Sequence, residues 1–413
     1  MTSRTVASSS TMRMRVGAVA ASAGPLRGPR AGADAPRLEA VTYPDHSTRK
    51  AGTTRDLRRN KPSALYCKVA LTRLVGLGTS TLMDKRPQSS LPVVGESEQA
   101  APARRDLAAS MRAHGVDIGA KKPPWLRVGL PGGERYKRVR DTLQGLGLHT
   151  VCQEAHCPNV ADCWGGGTAT VMLMGEVCTR GCRFCNVKTA ARPPPLDPEE
   201  PRHLAEAIRE LGLDYIVVTS VDRDDLPDGG AAHFADAIVR LKEIPHLLVE
   251  VLTPDFRGDP EAVRTVGRAA PDVFANNIET VRRLTPVVRD QKAGYDQTLA
   301  VLERMKHEFP GVVTKSSIMV GLGESESEVD DTMRDLRSAG VDILTLGQYL
   351  RPSAWHLPVM QWVTPEQFEA YKVLGEQRGF RYVASGPLVR SSYRAAELFL
   401  RGEIASRRGD GQG

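Results

Sequence analysis

VMLMGEVCTRGCRFCNV, residues 171–187, decides the reading: an apolar burst, VMLMG (171–175), runs into Cys178-x3-Cys182-x2-Cys185. The burst has the length and composition of a buried strand, so the cysteines fall in the loop just after it. Upstream, VCQEAHCPNVADCW (151–164) holds a second triplet, Cys152-x4-Cys157-x5-Cys163. Six of the seven cysteines therefore lie in one short stretch. Thiolates at close, uneven spacing hold soft metal centres, and a triplet leaves one coordination position for another group. In a [4Fe–4S] cube that leaves one iron open to a small molecule. A structural zinc site is the alternative, but zinc prefers four closed ligands, and no second C-x2-C pair or nearby His completes one. Disulfide frameworks belong to small secreted domains that lack a core. In a chain of 413 residues, tight clustering reads as metal ligation in a reducing interior.

Downstream, strand and helix patterns alternate. EEPRHLAEAIRELG (199–212) sets Leu204, Ile208 and Leu211 on one helical face and stops at Gly212; YIVVTS (215–220) is a buried strand. The pattern continues with a helix at 231–244, a strand at 247–253, a helix from Pro260, the strand DVFANN, and a helix from Tyr295. TKSSIMVG, a helix after Ser325, and VDILTLG complete about six units by residue 350. PEQFEAYKVLGEQRGF then reads as helix and RYVASG as a further short strand. Such alternation implies parallel strands with right-handed crossovers. The expected fold class is α/β: a partial (β/α)6 TIM-like barrel, with N-terminal and C-terminal extensions closing the barrel mouth. No G-x-G-x-x-G follows a strand, which argues against dinucleotide binding. Polar runs fall where strands end, the chemical rim of such barrels: CTRGCRFC, TSVDRDDLPDGG, TPDFRGD, NNIET and GLGE.

The formal charge of +7 is misleading, because residues 1–82 carry fourteen Lys/Arg against four Asp/Glu. A basic pI of that origin does not indicate a nucleic-acid partner, and no apolar run approaches a membrane span. The Arg- and Ser-rich start resembles an organelle transit peptide; an over-called N-terminus, with Met83 as a second start, is the other reading. The expected division is a disordered basic leader over 1–110 and an N-terminal extension with the first triplet over 111–168. The barrel follows over 169–350, then a C-terminal extension over 351–405 and a disordered tail over 406–413. The expected location is cytoplasmic, or mitochondrion or plastid if residues 1–82 are a transit peptide.

CTRGCRFC resembles the radical S-adenosylmethionine superfamily. The resemblance implies a [4Fe–4S] cluster on Cys178, Cys182 and Cys185, whose open iron binds S-adenosylmethionine and whose electron cleaves it to a hydrogen-abstracting radical. Beside these cysteines, Gly181 relieves the turn, Arg180 and Arg183 are expected to offset thiolate charge, and Phe184 to exclude water. TSVDRDD (219–225) and SSIMVGLGE (316–324) are candidate cofactor contacts; loop solvation and helix capping by Ser325 are their competing roles. For the first triplet, His156 is an available fourth ligand or simply a capping or solvated side chain.

The pattern sharpens with GPLVRSSYRA (386–395). Both triplets with RSSY, along with PPWLR, GERY, LTPDFRGD, NIET, VRD, GQYLRP and YVASGPLVRSSY, are similar to lipoyl synthases over roughly residues 120–400. That resemblance implies an auxiliary [4Fe–4S] cluster on Cys152, Cys157, Cys163 and the Ser392 oxygen, dismantled as the sulfur donor. Ser392 and the first triplet are thus placed in catalysis. The implied reaction inserts sulfur at C6 and C8 of a protein-bound N6-octanoyl-lysine, with two S-adenosylmethionine consumed. The implied partners are octanoylated lipoyl carrier domains (2-oxoacid dehydrogenase E2 subunits and the glycine cleavage H protein). A low-potential donor such as ferredoxin or flavodoxin, and iron–sulfur cluster carriers, complete the set, with no nucleic acid and no membrane.

One departure stands out: where the family reads A-H-N, this chain has Ala275-Asn276-Asn277, and Asn lacks the basicity of His. Two other readings stay open: a radical enzyme whose second cluster only transfers electrons, and a zinc-stabilised binding module. Anaerobic reconstitution separates them. Two cubes predict about eight irons per chain; half that number supports one cube, and zinc without iron removes both enzyme readings.

Overall fold

Strands buried on both faces need near-continuous β-branched and apolar sequence, and the runs at 215–220, 248–252 and 343–348 meet that need. The computed structural model describes residues 100–128, 133–154, 157, 159–165, 168–392 and 402. Cys67, His156, Tyr393, most of the leader and the tail lie outside the described residues. The chain divides into Met1–Leu82 and Met83–Gly413, and every described residue belongs to the second unit.

An N-terminal group comprises α1 (Ala100–His114), α2 (Glu134–Gly145), β1 (His149–Thr150), α3 (Val151–Glu154) and α4 (Val160–Gly165). Next come β2 (Thr168–Leu173) and two short strands, β3 (Val177–Cys178) and β4 (Lys188–Thr189), which pair in parallel around the cysteine loop. The alternation then runs α5 (Glu200–Leu211), β5 (Tyr215–Ser220), α6 (Ala231–Lys242), β6 (Leu248–Leu252), α7 (Pro260–Arg268) and β7 (Val273–Ala275). It ends with α8 (Thr285–Val288), α9 (Tyr295–Glu308), β8 (Val313–Val320), α10 (Glu326–Ser338), β9 (Ile343–Gln348), α11 (Pro365–Gln377) and β10 (Tyr382–Gly386).

The main sheet has the order β1-β2-β5-β6-β7-β8-β9-β10, with β1 antiparallel at one edge and all other neighbours parallel. No ladder joins β1 to β10 among the described residues, so the sheet is open. β10, expected only as a further strand of the C-terminal extension, pairs with β9 from Tyr382↔Ile343 to Gly386↔Gly347 and extends the same sheet. α5 shows how helices cover it: Leu204, Ala205, Ala207 and Ile208 are buried, and Gly212 at φ 60° ends the helix.

Side chains of alternate residues share one face of a strand, and that face is filled in layers from the strand starts upward. Tyr215, Val217, Leu248, Val273, Val313 and Ile343 form an apolar floor. Above it Lys315 Nζ lies 2.7 Å from Glu250 Oε1, both 1% exposed, and the Tyr215 hydroxyl donates to Glu250. Two strand positions on, Thr219, Leu252 and Ser317 line a cavity. The floor closes one end, so the open end faces the loops that follow the strands.

The expected disorder through residue 110 is corrected: α1 begins at Ala100. Leu107, Ala108 and Met111 form a narrow apolar stripe, and Ala108 and Met111 are buried in the main core. Dense charge in RRDLAASMR masked that stripe. No helix among the described residues is long and apolar enough to cross a membrane.

Removing one member of the Lys315–Glu250 pair leaves a buried charge uncompensated. Lys315→Met is expected to destabilise the protein by about 3–5 kcal/mol, while Lys315→Met/Glu250→Met recovers most of it. Chemical denaturation of the metal-free protein reads both.

Candidate metal centre

The C-terminal ends of the strands surround a cavity of about 380 Å³, in the size range of small-molecule sites. Two sulfur-bearing segments reach its wall: Cys178, Cys182 and Cys185 after β2, and Cys152 and Cys157 from the N-terminal group. Ser391 and Ser392 line it too. Cys163 does not; it is buried on α4 beside Trp164, whose ring stacks on Tyr136 at 5.0 Å. None of the six described cysteines forms a disulfide.

The loop over 178–185 is anchored at every turn. Its approach passes through left-handed Met174 and Gly175 (φ 67° and 81°), and Met174 N donates to Glu200 Oε2 at 2.8 Å. Thr179 N donates to Asp222 O (2.9 Å), Gly181 N to Asp290 Oδ2 (2.8 Å) and Arg183 N to Val288 O (2.9 Å). His356, fully buried, contacts the Cys185 carbonyl through Nε2 at 2.9 Å; since a carbonyl only accepts, that nitrogen carries the proton.

Arg180 corrects an expectation. Its guanidinium does not offset thiolates: Nε and Nη2 grip Asp224 (3.0 and 2.8 Å), and Nη2 also reaches Asp255 at 2.8 Å. Nη1 lies 3.3 Å from Asp222 Oδ1. The loop is thereby pinned to the ends of β5 and β6. Burial pushes the Asp222 carboxyl up to about 6, against the pull of Arg180.

Burial, and then the Asp222 charge, push the Cys178 and Cys182 thiols far above the ordinary range. Yet the surrounding donors suit thiolates: Asp222 N and Arg180 N donate to Cys178 Sγ (3.3 and 3.4 Å), and Asp290 N to Cys182 Sγ (3.3 Å). Buried sulfur given N–H donors, with the Arg289 charge also favouring the Cys182 thiolate, suits a metal centre, so the residues fit a cluster.

At the first triplet, burial and the neighbouring Cys157 push Cys152 up to about 12. The Trp164 indole N–H, buried without an oxygen or nitrogen partner, and Thr170 favour its thiolate. Burial also raises Cys157, while the buried Arg390 guanidinium pulls it back. Asn159 Nδ2 donates to Leu388 O at 2.5 Å. The RSS segment and the first triplet, more than two hundred positions apart, therefore meet at this wall.

The candidate cofactor loops divide. Thr219–Asp222 line the cavity, whereas Arg223 pairs with Asp225 at 2.7 Å. Ser317–Met319 line it, but Glu324 turns back to accept Leu322 N (2.9 Å), and Ser325 caps α10. Asn276 and Asn277 line the cavity with buried Oδ1 atoms that have no partner. Sequence reasoning missed Asp255, Asp290 and His356 as anchors of the loop; only the position of TPDFRGD after a strand hinted at the first, and Asp290, just past α8, gave no such signal.

These features define a class. Residues 172–336 match the family model of the radical SAM superfamily, and residues 90–157 match that of the N-terminal domain of lipoyl synthase of the radical SAM family. Lipoyl synthases of Anaeromyxobacter dehalogenans and Anaeromyxobacter sp. are 83% and 82% identical over 290 and 288 residues, covering 70% of this chain and 99% and 98% of theirs. A mitochondrial lipoyl synthase of Branchiostoma floridae is 56% identical over 309 residues, covering 73% of this chain and 82% of its own. The chain belongs to the lipoyl synthase family.

A Cβ on Gly347 would overlap the Val389 carbonyl, which cannot yield without moving the segment that follows. Gly347→Ala is therefore expected to lose about half the iron yet retain S-adenosylmethionine cleavage. Full iron content would contradict the coupling between β9 and residues 389–392.

Proposed function

We propose that the chain is a lipoyl synthase, a sulfurtransferase converting a protein-bound N6-octanoyl-lysine to N6-lipoyl-lysine by sulfur insertion at C6 and C8. The observation that carries this reading is the convergence of Cys178, Cys182 and Cys185 with Cys152, Cys157 and Ser392 on one cavity. Cys178, Cys182 and Cys185 hold one [4Fe–4S] cluster; Cys152, Cys157, Cys163 and the Ser392 oxygen hold the other. When bound, the first supplies the electron that cleaves S-adenosylmethionine, and the second supplies sulfur. The buried Cys163 completes the second set from behind the cavity wall.

The chain's own residues prepare this chemistry. Arg390 offsets charge at Cys157, and Phe184 gives the cavity an apolar wall. Arg180 and Asp290 hold the loop while the strand ends leave space for the cofactor and an extended acyl chain. A serine oxygen is a hard ligand for iron, so the Ser392 corner is the one built to let go. Cys152 and Cys157 from the N-terminal group and Arg390 to Ser392 after β10 bring this corner to the cavity.

The expected partners are octanoylated carrier domains, a low-potential donor such as ferredoxin or flavodoxin, and cluster carriers. The bacterial origin of the relatives above 80% identity supports a cytoplasmic enzyme.

Ser392→Cys replaces the labile corner with a soft ligand. The variant is expected to keep full iron and form 5′-deoxyadenosine but to fall at least about a hundredfold in lipoyl product, roughly 2.7 kcal/mol of barrel-site function. Product formation at the parent rate would contradict sacrifice of the auxiliary cluster.

A further inference from the structure

Of the large apolar side chains exposed among the described residues, Trp355 alone lines the cavity. It follows β9 and is 51% exposed, so its ring stands at the boundary between cavity and solvent. An indole left half in water forgoes much of the stabilisation that its burial would bring. A ring kept there at that cost invites an apolar ligand passing the rim.

The ring is also held in place. It packs edge-on against the His356 ring, with centroids 5.0 Å apart, and His356 is fully buried. His356 donates through Nε2 to the Cys185 carbonyl and accepts the Ser353 hydroxyl at Nδ1 (2.9 Å). Trp355 N donates to Ser353 Oγ (3.4 Å). Arg351 spans the turn, giving Nε to Ser353 O (3.0 Å) and Nη2 to Ala354 O (2.6 Å). Leu357 N then donates to Arg183 O (3.2 Å), which fastens the turn to the cysteine loop. A ring ordered before its ligand arrives loses little entropy on contact.

Size decides what crosses the rim. A cavity of about 380 Å³ admits a side chain and excludes a folded carrier. The part of the substrate that lies at the rim is therefore the lysine stem, a four-carbon chain between backbone and amide. Acylation has removed the ammonium charge, so an apolar wall suits this stem.

We propose that Trp355 is a positioning residue whose ring packs along the lysine stem of the acylated substrate where it enters the cavity. This rests on the reading under Proposed function and adds the contact that grips the substrate between its carrier and its reacting carbons.

The test uses the reconstituted full chain with a short uncharged peptide bearing octanoyl-lysine and with an octanoylated carrier domain. Trp355→Ala is expected to raise KM about tenfold for both, with kcat within about twofold of the parent, because a grip equal in ground and transition states is lost. Trp355→Phe should restore KM, and iron content and the KM for S-adenosylmethionine should match the parent. An unchanged KM for the peptide would overturn the proposal. So would a loss confined to the carrier, which would make the ring a protein-docking residue, or an equal rise in the KM for S-adenosylmethionine, which would give it to the cofactor. A fall in iron content would make its role structural. A parent that cleaves S-adenosylmethionine but converts neither substrate would instead remove the reading of the reaction itself.

Discussion

One guanidinium decides where the chemistry sits. Arg180 lies inside the cysteine loop, yet its charge is taken up by Asp222, Asp224 and Asp255, at the ends of neighbouring strands. Three carboxylates outnumber this one cation in a buried place, so Arg289, 3.9 Å from Asp255, adds positive charge and the cluster still needs excellent geometry. The bidentate grip on Asp224 and the nearby Lys292 (3.3 Å from Asp224) provide it. The consequence for function is direct: a loop of thiolates cannot drift from the strand ends while this clamp holds.

The rest of the fold serves that placement. Among the described residues an apolar floor and the Lys315–Glu250 pair fill one end of the strand bundle, and the cavity lies at the other, among the loops. The second set of thiols comes from the other side of the sequence map. Cys152 and Cys157 precede β2, and Arg390 and Ser392 follow β10. Their meeting depends on two contacts, Asn159 with the Leu388 carbonyl and the close approach of Val389 to Gly347.

Much of this was legible in the chain itself. YIVVTS became β5 residue for residue, Gly212 ended α5, and Ser325 capped α10, because each rests on a local physical preference. The alternation also placed the second triplet in the loop after β2. What stayed hidden was non-local. The apolar stripe of α1 is too narrow to stand out among its charges, and its partners lie far along the chain. The destination of the Arg180 side chain depends on three aspartates in two other loops, so proximity in sequence pointed to the thiolates instead. Ser392 reached the account through family resemblance alone, since nothing in RSSY announces a metal ligand.

The central claim is that one cavity joins a cluster with a vacant iron to a second cluster consumed as reagent. The direct measurement is a single turnover by protein whose clusters carry heavy-isotope sulfide, with the mass of the lipoylated product recorded. The account predicts that both inserted sulfur atoms carry the label. Unlabelled sulfur in the product, formed at full yield beside intact labelled clusters, would contradict it.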